Sequence, residues 1–336
     1  MFESYYGLSE NPFQLNPDPS FYFPSKGHRR AFAYLQYGVF QRQGFIVITG
    51  EIGAGKTTLV RTLLNQIDPS SVVAAQLVST QLDADDLLRA VAIAFGLPAK
   101  DAGKAELLAG IEAFLTSLVP QKRRALLVVD EAQNLTPNAM EELRMLSNFQ
   151  IGDRALLQSC LVGQPELRDQ MRCASMKQLR QRIIASYHLG PLEADETRAY
   201  IEHRLQHVGW KGDPSIDPAV FAALHEATGG IPRSINALCN RLLLAAYLDE
   251  KHDISSSAVT EGLDELRQEL GTFEAIPAAS LAPAPEQQWS VSDSVRPIVS
   301  SGISARLDRL EHSVNSILEV VRNLPGVDEG RIRTKK

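Results

Sequence analysis

The sequence predicts an α/β fold with a parallel sheet at its core, on three observations. The apolar run Phe45-Ile46-Val47-Ile48-Thr49 feeds a glycine-rich loop and then a helix-forming stretch. Two further aliphatic runs, Ala125–Val129 and Leu156–Val162, are continuous rather than alternating, so both faces of each strand must be covered. Amphipathic segments of helix length separate the runs, as βαβ crossovers require.

Residues 1–27 mix aromatics with prolines (Asn11-Pro12-Phe13, Phe21-Tyr22-Phe23-Pro24) and read as an extended arm packed on the core. A helix from about Gly27 to Arg42 is expected to turn Phe32, Leu35, Val39 and Phe40 inward. The strand at 45–49 follows, then a helix from Lys56 to about Gln66. Val72–Val78 reads as a second strand, closed by Ser79–Gln81. Helices are expected at Asp83–Phe95, with Asp83 or Asp85 as cap, at Ala105–Leu118, and around Met140–Met145.

From Pro191 the periodicity is helical throughout, at Glu196–His207, Pro218–Thr228, Ser234–Asp249 and Ser257–Leu270. A boundary near 190 therefore divides an α/β core at 28–190 from an all-helical lid at 191–270. Residues 271–302, rich in Ala, Pro and Ser, read as a flexible linker. Ile303, Leu307, Leu310, Val314, Ile317, Val321 and Leu324 alternate spacings of four and three, a heptad seam that predicts a C-terminal coiled-coil segment at 303–324. An amphipathic helix folding back on the core fits the same spacing. A tail at 325–336 ends in four basic side chains.

Composition bounds the chemistry. With 336 residues, 44% hydrophobic and 22% charged, the chain is of ordinary globular type and long enough for two domains. The longest apolar runs, such as Leu242–Leu248, are too short to span a bilayer, and the opening residues lack the pattern of a signal peptide. Cys160, Cys173 and Cys239 lack metal-site or disulfide spacing, so a reducing compartment, the cytoplasm, is the expected address. The net charge of −6 falls entirely in residues 1–270, because residues 271–336 hold eight basic and eight acidic side chains. An acidic core disfavours nonspecific binding to nucleic acid, although Arg168, Arg172, Lys177, Arg180 and Arg182 form a local basic cluster.

The loop itself, Gly50-Glu51-Ile52-Gly53-Ala54-Gly55-Lys56-Thr57-Thr58, fits a phosphate cradle. Glycines let backbone N–H groups turn inward, and the following helix N-terminus adds positive potential. Lys56 is placed to reach the β- and γ-phosphates of a nucleoside triphosphate such as ATP, and the Thr57 hydroxyl to hold Mg²⁺. The aliphatic run at 125–129 ends in Asp130-Glu131, where Asp130 suits the metal ion and Glu131 suits a general base acting on water. The third run ends at Gly163-Gln164-Pro165, where Gln164 either senses a γ-phosphate or forms a simple turn. Ligands of parallel sheets sit beyond the carboxyl ends of the strands, so these motifs are expected to converge on one crevice.

In this order the motifs, with Leu179-Arg180-Gln181-Arg182 and Gly229-Gly230-Ile231-Pro232-Arg233, resemble the AAA+ ATPases. Within them the arm (Tyr5-Tyr6-Gly7-Leu8-Ser9), Asp130-Glu131-Ala132-Gln133 and Val162–Leu167 resemble the branch of general secretion pathway protein A and the transposition helpers. The likeness extends to ATPases found with exosortase (PEP-CTERM) and exopolysaccharide loci, and it covers about residues 1–270. It implies an AAA+ P-loop NTPase with Arg182, or Arg180 beside it, as a finger reaching the nucleotide of a neighbouring subunit. It also implies that Arg233 is a second sensor on the lid. A finger acting across subunits implies a homo-oligomer, ring or helical.

These features lead to an oligomeric, Mg²⁺-dependent ATPase, cytoplasmic or held at the inner membrane by a partner, that remodels or gates an envelope secretion or exopolysaccharide export system. The partner is expected to be envelope machinery engaged through the coiled coil. The alternative is a DNA-binding ATPase forming filaments on duplex, as transposition helpers do, and a third reading is a nucleotide-gated scaffold that turns over very slowly.

Overall fold

Strands form where the sequence is apolar on both faces. In the computed structural model, which describes residues 1–78 and 81–270, three such runs, β1 (Phe45–Gly50), β3 (Arg124–Asp130) and β6 (Leu157–Gly163), pair in parallel with two more mixed edge strands, β2 (Val72–Val78) and β7 (Ile183–Leu189). The sheet order is β2-β3-β6-β1-β7. All described residues belong to one compact unit, Met1–Ile276. The linker at 271–302, the heptad segment at 303–324 and the tail at 325–336 lie outside the described residues.

Strand parity assigns the two faces. Phe45 and Val47 of β1, with Leu127 and Val129 of β3 and Leu161 of β6, point to one side. There they meet α4 (Ala84–Ala94), α5 (Lys104–Leu118), α6 (Pro137–Leu146), α7 (Pro165–Arg172) and α8 (Lys177–Arg180). Ile46, Ile48, Leu126, Val128 and Val162 point to the other side, against α2 (Lys26–Gln41) and α3 (Lys56–Gln66). This double coverage is what the unbroken aliphatic runs demand. A two-residue hairpin, β4 (Gln150–Ile151) with β5 (Arg154–Ala155), precedes β6.

A third apolar cluster unites α9 (Ala194–His207), α10 (Pro218–Thr228), α11 (Pro232–Leu248) and α12 (Ser256–Leu270) through Ile201, Leu205, Phe221, Leu224, Ile235, Leu238 and Val259. Phe2, Tyr6, Leu8, Phe13 and Phe21 complete it, so the arm packs chiefly on the C-terminal helices, while Tyr22 and the Pro17 carbonyl, which accepts from Arg61 Nη1 at 2.9 Å, meet the α/β core as expected. The arm also contains a short helix, α1 (Phe2–Tyr5), and a 3-10 turn at Pro19–Phe21. Its aromatics supply the apolar cover that four short helices cannot supply to one another.

Three further expectations need correction. Phe40 is 76% exposed, because the inward stripe of α2 runs through Ala31, Leu35, Gly38 and Val39, and Phe40 falls one step beyond it. The segment after residue 191 is not purely helical: β8 (Ser215–Ile216) pairs in parallel with β9 (Asp253–Ile254). The strand β7 went unforeseen because its run is broken by Ser186 and His188, as suits the edge position it occupies.

Leu127 is fully buried at the centre of the sheet. Leu127→Ala is expected to destabilise the fold by about 2–5 kcal/mol, and Phe40→Ala by less than about 0.5 kcal/mol, as read from urea denaturation midpoints. Equal losses would place Phe40 in the core after all.

Candidate active site

The glycine loop leaves β1 at Gly50 and enters α3 at Lys56. Gly53 and Gly55 have φ of 83° and 94°, a region L side chains rarely adopt. A Cβ on Gly53 would also lie 2.3 Å from the Arg233 Cβ, and one on Gly55 2.7 Å from His28 Nε2. The Lys56 side chain is 7% exposed, and its Nζ donates to the carbonyls of Gly50 (2.7 Å) and Glu51 (2.9 Å). Burial draws this ammonium below the usual lysine range, against the opposing pull of Glu131, Asp130, Glu51 and Glu166.

The acidic edge of β3 meets the loop directly. Thr57 Oγ1 donates to Asp130 Oδ2 at 3.0 Å, while the Glu131 N–H donates to Asp130 Oδ1 at 3.0 Å. Glu131 sits at φ 54°, a conformation that turns its side chain away from the strand line. Two amides grip one of its oxygens: Gln133 Nε2 donates to Oε2 at 2.6 Å and Gln164 Nε2 at 3.1 Å. Burial alone would raise the Glu131 carboxyl, but these two hydrogen bonds and the Lys56 charge outweigh it and hold the group below the usual range. Neither carboxylate caps α6, since Thr136 Oγ1 accepts from the Ala139 N–H there.

The arginines divide into two groups. Arg233 opens α11 and its N–H donates to the Gly53 carbonyl at 3.2 Å, which ties the C-terminal helices to the loop. Arg182 stands at the other end of the sheet, where its carbonyl accepts from the Phe45 N–H and its Nη1 donates to Ser147 Oγ at 2.6 Å. The length of β1, roughly 17 Å, separates it from Gly50 of the same chain. Arg180 Nη1 donates to the Met171 carbonyl at 2.8 Å. The structure thus brings Gly50–Thr58, Asp130, Glu131, Gln164 and Arg233 together and leaves Arg182 outside.

A cavity of about 410 Å³ opens over the loop, lined by Lys56, Thr57 and Glu131 together with arm residues 14–18, Tyr200 and Arg204. Thr57 and Asp130 offer adjacent hard oxygen donors of the kind Mg²⁺ takes. Among the described residues no cluster of three or more His, Cys, Asp or Glu could hold a metal by itself. That suits an ion sharing its coordination with phosphate oxygens and water.

Residues 39–171 match a family described as AAA domain. The matched span holds the glycine loop, Asp130, Glu131 and Gln164. It is 37% identical over 336 residues to general secretion pathway protein A of Aeromonas hydrophila, covering 95% of this chain and 61% of that relative. Among solved structures, Cdc6p of Pyrobaculum aerophilum superposes with a TM-score of 0.60 at 16% identity, covering 77% of this chain and 71% of that one. The ORC2 protein of Aeropyrum pernix in its ADP form does so with a TM-score of 0.55 at 17% identity, covering 71% of this chain and 67% of that one. These two likenesses show that the chain shares its fold with both proteins.

Several residues of this site escape the sequence reading. His28, from α2, is buried against the loop, with its Nδ1 2.7 Å from Ser25 Oγ. Burial holds its imidazole below the usual histidine range despite a bond to the Ala54 backbone and the nearby Glu196 charge. Gln133 appears in the Asp-Glu-Ala-Gln motif, yet nothing in sequence says that its amide returns to Glu131. Tyr200 and Arg204 stand one helical turn apart on α9, a spacing legible only once the arm is known to cover that face.

Gln133 is a positioning residue for the Glu131 carboxylate. Removing its amide in Gln133→Leu removes a bond that favours the charged form, so the carboxyl should titrate higher. The acid limb of the ATPase pH profile is therefore expected to move to higher pH, with a smaller displacement for Gln164→Leu. A profile unmoved by Gln133→Leu would detach this amide from the catalytic carboxylate.

Proposed function

We propose that the chain is an oligomeric ATPase of the branch of general secretion pathway protein A, coupling ATP hydrolysis to remodelling or gating of an envelope secretion or exopolysaccharide export system. The observation that supports this most is the single edge on which Lys56, the Thr57–Asp130 pair and the amide-gripped Glu131 meet. The likeness to the secretion protein supports the pathway. Because the chain spans 61% of that relative's length, the substrate and partners stand on chemistry alone. The exosortase and exopolysaccharide association is the narrower form of the same proposal.

In this reading residues 28–190 form the nucleotide-binding core and 191–270 the lid. Lys56 and the inward N–H groups of Gly50–Thr58 bind the phosphates of ATP. Thr57 and Asp130 hold Mg²⁺, which when bound neutralises charge on the phosphate oxygens. Glu131, kept ionised by Gln133 and Gln164, accepts a proton from the attacking water. Gln164, already against Glu131, reports the γ-phosphate to that carboxylate. Arg233 couples the nucleotide to the lid through its position on Gly53.

The distance of Arg182 from its own loop supports action on a neighbouring subunit's nucleotide, hence a ring or a helical assembly. An envelope partner would engage the segment at 303–324, which lies outside the described residues. No described helix is long and apolar enough to cross a membrane, so any inner-membrane association of a cytoplasmic assembly would run through that partner.

The basic cluster gives the DNA-filament alternative less support than its count of charges implies. Arg172 pairs with Asp169, which offsets one charge, while Arg180 and Arg182 keep theirs but have an Nη1 engaged by the Met171 carbonyl and the Ser147 hydroxyl. A salt series of duplex binding decides between the two: steep loss of a strong affinity with salt would favour DNA.

Steady-state turnover measured against protein concentration tests the proposal. Lys56→Ala is expected to abolish nucleotide binding. Glu131→Gln should bind ATP and lose about 10²–10⁴ in rate. Arg182→Ala should bind ATP yet lose the rise of specific activity with concentration, a term worth about 10³–10⁵ where such fingers act. Specific activity that stays flat with wild-type concentration would remove the assembly from the mechanism, and equal rates for Glu131→Gln and wild type would leave a nucleotide-gated scaffold.

A further inference from the structure

Arg204 is the most anomalous charge in the molecule. Its side chain is 5% exposed on α9, and it lines the same cavity as Lys56, reached from Gly53 through Arg233, then Asn236 one helical turn along α11, then Tyr200. The guanidinium lies 4.7 Å over the Phe21 ring and 5.6 Å from the Tyr200 ring centre. Its Nη1 donates to the Tyr200 hydroxyl at 2.8 Å, and that hydroxyl in turn donates to Asn236 Oδ1 at 2.8 Å. The Nε–H is buried with no acceptor among the described residues. No described carboxylate forms an ion pair with the group. Asp18, lining the same cavity, is a nearby counter-charge without being an ion-pair partner: it accepts from the Ser20 N–H at 2.8 Å, and that bond first, with the His207 and Arg204 charges behind it, holds its carboxyl below the usual range.

A buried cation with no direct ion-pair partner and an unsatisfied N–H is costly to a fold, and an apolar side chain of similar volume would avoid that cost beside Phe21 and Tyr200. A ligand acceptor arriving at that point would offset the cost. Guanidinium is donor-only, so the ligand must present an acceptor there. The aromatic walls favour a planar neighbour. With the phosphates anchored at Lys56 and Thr57, the part of a nucleotide left to reach Arg204 is the nucleoside.

We propose that Arg204 is the recognition group for the nucleoside end of the bound nucleotide, donating from beside Phe21 and Tyr200 to an acceptor atom of the base or ribose. The assignment rests on the nucleotide-binding reading above. It also gives the arm a function, because Phe21 forms one wall and the Gln14 carbonyl accepts from Asn236 Nδ2 at 3.4 Å. Arm, α9 and α11 thereby meet around one ligand moiety.

Calorimetric titration of the full chain with MgATP and, separately, with inorganic tripolyphosphate tests the assignment. Arg204→Met is expected to bind MgATP about ten- to a hundredfold more weakly and tripolyphosphate as wild type does. Its melting temperature without nucleotide should be no lower than wild type, since a buried charge with no direct ion-pair partner has gone. Should Arg204→Met not fold, Arg204→Lys decides, because it keeps the charge and loses the planar fork; the same selective loss is expected. Unchanged MgATP affinity would overturn the proposal, as would equal losses for both ligands, which would make Arg204 a phosphate contact. A wild-type chain binding neither ligand would remove the nucleotide-binding reading, and this assignment with it.

Discussion

Because β3, β6 and β1 run parallel and in register, with Val129 beside Leu161 and Leu161 beside Val47, their carboxyl ends finish on one edge. Everything chemical in the molecule depends on that alignment. It sets Asp130 within hydrogen-bonding reach of Thr57, and it places Gln164 against Glu131. A one-residue slip of β3 would turn Asp130 toward the opposite face and bury a carboxylate among aliphatic side chains. Register is held against such a slip because both faces of these strands are covered by different helices.

Four of the five sheet strands and the strand–glycine loop–helix turn were legible in the sequence, for a common physical reason. Unbroken aliphatic runs have few alternatives to a buried parallel strand, and a glycine loop between such a strand and a helix has few alternatives to an anion cradle. The roles hidden from sequence are those set by contacts between distant segments. Gln133 reaches back to Glu131 only because Glu131 takes a left-handed backbone conformation. Phe40 was misplaced because an aromatic at the end of a helix satisfies the periodicity of two adjacent faces. The arm's second surface, on the C-terminal helices, was hidden because aromatic content says that a segment packs, and says nothing of where.

The cavity gathers charges of both signs with unequal partners. Lys56 is surrounded by carboxylates and rests on two carbonyls, whereas Glu131 is held by neutral amides. The two amides keep the Glu131 carboxylate charged, with the Lys56 charge adding to them from a distance and no direct ion pair between the two groups. The same economy appears at His28, a neutral imidazole wedged under Gly55 where a charged side chain would compete for phosphate.

The arm's attachment to α9–α12 makes residues 1–25 part of the hydrophobic interior of the C-terminal helices. Shortening this segment at the bench would uncover apolar surface left by Phe2, Tyr6, Leu8, Phe13 and Phe21. Trimmed forms should therefore aggregate or be cut by proteases within α9–α12 while the five-stranded sheet stays intact. A loss of enzymatic work in such a sample would report collapse of those helices rather than damage at the phosphate loop.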